Sequence, residues 1–259
     1  MKLATGWNWL ASLTFVFAVL SVGAKEGFVA AADTPVKVSA YAPAEDLDTQ
    51  MDEYLKSLAK TVETEQTFKD ESGNLTKDAH TMAVLAMVIA LSDQESKYKA
   101  AAPALLKASQ ALAEVKDYEA AKKAAAGVVV ALDTKEPANL KWEKVASLPE
   151  LMKQVPNVHT KLKMKITGTR LKSQAKATQG YTAAIAAIGQ ASIIDTKEAK
   201  TPEDVQKWQT FCVEMRDASA AVNAAIRKQD RAAVEDTMAR LQKSCDECHK
   251  VFHQAALSK

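Results

Sequence analysis

The run 241-LQKSCDECHKVFH-253 sets two cysteines at the spacing C-x-x-C and a histidine directly after the second. On a helix, positions 245, 248 and 249 fall on one face, so Cys245, Cys248 and His249 can address a single object. The stripe that carries them starts upstream: Met238, Leu241, Cys245, Cys248 and Phe252 are separated by steps of three and four. Asp230 stands where such a helix needs its N-terminal cap.

Working further outward, the same periodicity recurs. Trp208, Phe211, Met215, Val222 and Ile226 form one stripe, entered through the cap and proline of 201-TPED-204. Tyr181, Ile185, Ile188 and Ser192 form another, and Leu148, Met152, Val155, His159 and Leu162 a third. Pro156 interrupts the third and predicts a kink or a second start there. Four amphipathic helices of this kind can turn their stripes inward as an antiparallel bundle.

A second, weaker set lies N-terminal to the first. Leu47 and Met51 stand 101 residues before Leu148 and Met152, and 80-HTMAVLAMVIA-90 aligns with 181-YTAAIAAIGQA-191 at the same offset. Farther on, 108-ASQALAEVK-116 matches 218-ASAAVNAAI-226 at 110, and Asp117 matches Asp230 at 113. The offset grows only between apparent helices, where insertions are tolerated. The stripes of this first copy are Leu47/Met51/Tyr54/Leu58, Leu85/Val88, Leu105/Ser109/Leu112 and Tyr118/Val128/Leu132. The fold expected is therefore all-α, two tandem antiparallel four-helix bundles. The first spans 47–135, 136–142 forms a linker within 133-DTKEPANLKWE-143, and the second spans 143–259. Opposite the cysteine motif the first copy has 132-LDTKE-136, with neither cysteine nor histidine. His80 is its one histidine and reads as a satisfied histidine at a helix start.

Composition agrees with helices: 6% aromatic residues and eight glycines in 259 residues, with 25% charged residues. The net charge of +2 conceals an asymmetry. Residues 1–140 carry 14 Lys+Arg against 19 Asp+Glu, and residues 141–259 carry 20 against 13. A basic second half suits an acidic partner or docking of the two halves; nothing points to nucleic acid. Residues 1–32 read as a signal peptide: Lys2, the apolar run 7-WNWLASLTFVFAVLSVGA-24, and the small residues 30-AAA-32 before Asp33. Uncleaved, the same run is long enough for a membrane anchor. Residues 33–46 read as a loose segment. Either way the body is exported, and a bacterial periplasm is the expected compartment.

Three chemistries compete for the motif. C-x-x-C-H is a c-type haem attachment pattern, in which the two thiols form thioethers with the vinyl groups while His249 ligates iron. Zinc needs four ligands; Cys245, Cys248, His249 and His253 supply the atoms, but adjacent residues 248 and 249 chelate poorly from one helix. A disulfide is disfavoured because a helical backbone holds the two sulfurs badly, and redox pairs usually open a helix after a strand. Export and placement on an inward stripe favour haem.

Residues 143–255 resemble the class II cytochromes c, the cytochrome c′ group. The resemblance rests on 207-KWQTFCVEMRDASAAVNAAIRKQDRAAVEDTMARLQKSCDECHKVF-252, which runs helix, short turn, helix, motif in family order. Members often continue Cys-His-x-x-aromatic-basic; here Phe252 and His253 take those places. The resemblance implies one covalent haem c on Cys245 and Cys248, with His249 as proximal ligand. It also places Met152 where electron-transfer members of the superfamily carry a distal methionine. Met152 as distal ligand implies a six-coordinate electron carrier; Met152 as an apolar blocker implies a five-coordinate binder of NO or CO. His159 is the second distal candidate. Cys212 reads as a buried thiol, Arg240 and Lys243 as neighbours able to meet propionates, and Trp208 and Tyr181 as pocket or packing residues. No acid–base pair marks a turnover enzyme. Redox proteins are the expected partners, and a homodimer is compatible with the pattern. A haem-free helical interaction protein is the reading from another class.

Overall fold

Leu47, Met51, Tyr54 and Leu58 are all buried on one side of the first helix, as their spacing predicts. The computed structural model describes residues 36–137 and 139–256. Every regular element among them is helical: α1 (Ala44–Thr61), α2 (Glu65–Ala90), α3 (Ala102–Ala113), α4 (Tyr118–Asp133), α5 (Leu148–Lys165), α6 (Arg170–Ser173), α7 (Ala175–Ser192), α8 (Pro202–Lys228) and α9 (Arg231–Phe252), with single 3-10 turns at Val38–Ala40 and Gln254–Ala256. The signal-peptide and anchor readings lie outside the described residues. No helix among those described is long and apolar enough to cross a membrane.

Side-chain caps set four of the nine α-helix starts among the described residues. Thr64 caps α2 and exchanges hydrogen bonds with Thr67 in a capping box. Asp117, Thr201 and Asp230 each accept from the backbone N–H three residues on, at the starts of α4, α8 and α9. α8 ends where Gln229 enters the left-handed region at φ 55°, and α9 starts almost at once. Pro156 neither ends nor restarts α5, which runs through it to Lys165. A proline there has no N–H for the Met152 carbonyl, so that turn of α5 is one hydrogen bond short.

α2 and α7 are the central helices. Met82–Ile89 and Ala183–Ile188 are fully buried on every side, as a helix that is apolar all round must be. α3 packs on α2 and carries α4 on its other side, and α8 packs on α7 and carries α9. The two halves are not held apart by a linker. α1 packs on α7 as well as on α2, and α5 packs on α2 as well as on α7, so one apolar cluster runs through both copies. Gly180 allows the α1–α7 approach, since a Cβ there would lie 3.3 Å from Gln50 Oε1 and 3.5 Å from the Asp46 carbonyl.

Buried polar groups pin the halves in register. Gln154 of α5 donates to Tyr54 Oη (3.1 Å) and to Asp78 Oδ1 (2.7 Å). Asn223 and Arg227 of α8 donate to Asp46 Oδ2 at 2.8 and 2.6 Å. The stretch expected to be loose packs in from Val38 onward: Val38, Tyr41 and Ala42 are buried and α1 already begins at Ala44. His80 lies inside α2 rather than at a helix start, and its Nδ1 accepts from the Ser147 N–H at the entry to α5 (3.4 Å). The place of the cysteine motif in the first copy falls where α4 ends at Asp133, so α4 has 16 residues against 22 in α9.

Candidate functional site

Cys245, Cys248 and His249 lie in the last turns of α9 and line one cavity of about 240 Å³ between α5, α8 and α9. α5 contributes Met152, Val155, Pro156 and His159, and α8 contributes Trp208, Phe211, Cys212 and Met215. The walls are thus mostly apolar and aromatic, and the sulfur and imidazole groups converge on them. α5 and α9 hold the two sides of this opening, whereas the α7–α8 and α8–α9 pairs are tightly packed.

Several contacts hold the walls. Gly189 of α7 has no room for a Cβ, which would lie 3.0 Å from the Arg216 nitrogen and 3.1 Å from the Cys212 carbonyl. That close approach fixes α8 at the level of Cys212. Trp208 donates through Nε1 to the Ser192 carbonyl (2.8 Å), so its indole is anchored while its face lines the cavity. Phe252 stands edge-on to Trp208 (5.3 Å, 85°) and to Phe211 (6.3 Å, 84°), bracing two rings of the wall. Arg240 makes a two-pronged pair with Glu214 at 2.7 and 2.9 Å, joining α9 to α8. Its charge is therefore already neutralised, while Lys243 is exposed.

Burial disfavours charge on the thiols and imidazoles of the site. All three cysteines are free thiols. Burial pushes the Cys248 thiol up to about 11, and it raises Cys245 and, more strongly, Cys212. Burial lowers the His249 imidazole, helped by the neighbouring His253, whose ring centroid is 5.9 Å away. Burial also lowers His159, helped by the charge of Lys163. At neutral pH both imidazoles are therefore unprotonated, the form that binds a metal. His159 lines this cavity, and its Nε2 is buried with no hydrogen-bond partner among the described residues.

The structure brings together Cys245, Cys248, His249, Met152 and His159, as the helical stripes require. Met152 is half-buried and packs with Leu148, Trp208 and Cys212. Tyr181 is in the core instead; its hydroxyl accepts from Lys165 (3.1 Å). His253, exposed beyond the end of α9, does not line the cavity, and among the described residues no three His, Cys, Asp or Glu side chains are gathered as a metal ion would need. Cys212 is buried as expected, but its place on the cavity wall beside Cys248 had no spacing signal to reveal it. No protein-family model, curated protein or solved structure matches the chain.

Proposed function

We propose that this cavity holds one haem c and that the protein is an exported mono-haem cytochrome carrying single electrons. The observation that carries the reading is the convergence of two free thiols and a neutral imidazole from one helix face on an apolar cavity. The residues present fit the group. Cys245 and Cys248 would hold it through thioethers and His249 would hold the iron, while Trp208, Phe211 and Met215 would exclude water from its faces. When bound, the group supplies one-electron chemistry at its iron.

The chain's own residues then set the properties. α5 presents Met152 and His159 from the side opposite α9, and α5 is itself pinned by Gln154 to Tyr54 and Asp78. The first copy has no such motif and its α4 stops short of it, so its role is to brace α5 and α7 through the shared core. Met152 as distal ligand gives a low-spin carrier. A second reading has an observation of its own: Met152 packs among Leu148, Trp208 and Cys212, as an apolar blocker would. That reading makes the protein a five-coordinate binder of NO or CO. The absorption spectrum of the holoprotein separates them. A low-spin spectrum that Met152→Ala turns high-spin supports the carrier; a high-spin ferrous wild type that binds CO supports the gas binder. A protein that acquires no covalent haem would sink both readings and leave the helical interaction protein.

A further inference from the structure

We propose that the pole formed by the end of α5, α6 and the α8–α9 turn is the docking surface for an acidic redox protein, an inference that rests on the cytochrome reading above. From residue 151 to residue 194 the chain carries seven Lys+Arg and no Asp or Glu. The fold gathers most of them. Arg170 of α6 donates to the Met164 carbonyl at the end of α5 (3.2 Å), and Arg231, the first residue of α9, donates to the Gly168 carbonyl between them (2.9 Å). Lys161, Lys163, Arg170, Lys172 and Arg231 are exposed, and among the described residues none of them has an ion-pair partner within 4.0 Å. Lys153 of α5 is paired with Glu150 and Lys250 of α9 with Glu247. Asp230 is used as the cap of α9, and Asp78 lies under Lys161, bonded to Gln154.

Unpaired like charges repel, so leaving this many together costs stability and is offset when a partner of opposite sign binds. Met164 stands 54% exposed among them. An apolar centre with a charged rim is the composition of a small, transient interface, in which the rim charges speed encounter. The pole also adjoins the cavity: His159 lines it, and Lys163 lies one turn further along α5, close enough to lower the His159 imidazole. A partner seated here is therefore near the proposed redox centre. An anionic membrane fits less well, because a helix lying in a lipid surface needs a wide apolar face to bury, and this pole has little beyond Met164.

The test uses the full mature chain, matured with a haem-attachment system, and reduced flavodoxin, an acidic flavoprotein, as the probe. Zero-length carbodiimide cross-linking reads docking whether or not haem is present, and stopped-flow absorbance reads reduction. Cross-links should map to Lys161, Lys163 and Lys172. In the triple variant Lys161→Glu, Lys163→Glu, Lys172→Glu the low-salt reduction rate should fall by about tenfold or more and lose its salt dependence. Reduction by hydroquinone, small and uncharged, should not change, and Lys122→Glu, Lys123→Glu on α4 should behave as wild type. Cross-links scattered over the surface, or equal rates in the two variants, would overturn the proposal. So would binding to phosphatidylserine vesicles that the triple variant abolishes while flavodoxin kinetics stay unchanged. Cross-links at this pole on a chain without haem would leave the docking surface standing and remove the cytochrome reading.

Discussion

At the scale of single residues, burial disfavours charge on the thiols and imidazoles of the site. Cys245→Ser and Cys248→Ser should each leave one thioether, read as a red-shifted reduced pyridine haemochrome. Cys212→Ser should leave the haemochrome at its wild-type position; a shift in that variant instead would assign the attachment wrongly. Asp78 illustrates the opposite case, a charge held in the interior. Burial raises its carboxyl above the usual aspartate value, against the hydrogen bond from Gln154, the nearby charge of Lys161 and the hydrogen bond from Ser57. The native state thus binds this proton more tightly than the unfolded chain does. The group's contribution is fully present below the ordinary aspartate value and is lost as pH rises through the folded one. Asp78→Asn removes the titration, so urea unfolding should show the variant gaining on wild type from acid toward neutral pH; a constant difference would contradict it. Cys245, Cys248 and His249 were legible because a helical face turns spacing into convergence. Asp78 was not, since nothing local announces that Gln154, so distant in sequence, will meet it.

At the scale of elements, caps and stripes carried most of the reading. Thr201 and Asp230 cap α8 and α9 where the sequence places them. Asp230→Ala should cost about 1 kcal/mol in thermal or chemical unfolding, the usual loss for a helix cap; an unchanged midpoint would mean α9 is held by packing alone. Gly189→Ala should cost roughly 1–3 kcal/mol, because the new methyl meets the backbone of α8 rather than a movable side chain. That close approach is invisible in the sequence, where Gly189 is only a helix-weakening residue inside an apolar run. Pro156 predicts a kink or a second start in α5; there is no second start, and Val155, Val158 and Leu162 stay buried on both sides of the missing hydrogen bond. The lack of periodicity in residues 33–46 suggests a loose segment, yet within its described part Val38 and Tyr41 bury themselves through a single 3-10 turn. Short irregular segments leave no periodic trace of that kind.

At the scale of the whole molecule, the two sets of helical stripes are visible in the sequence and the way they meet is not. Inward stripes describe each copy alone. The sign of a shared core lay in Met82–Ile89 and Ala183–Ile188, which are apolar on all sides and so need neighbours on all sides. Because α1 and α5 each serve both halves, the chain should unfold in one transition, and residues 143–259 expressed alone should expose the α5 and α7 faces and bind a hydrophobic dye. A stable, dye-silent fragment would contradict the bracing role given to the first copy. Gln154→Ala, which takes one hydrogen bond from each of Asp78 and Tyr54, should cost about 1–3 kcal/mol. All of this serves one cavity, and its content is the central claim. Intact-mass analysis with a visible spectrum, on the mature protein co-expressed with a haem-attachment system, tests it most directly. The account predicts the added mass of one haem, retained after acid denaturation and lost in Cys245→Ser, Cys248→Ser together; a wild-type chain at its bare polypeptide mass would contradict it.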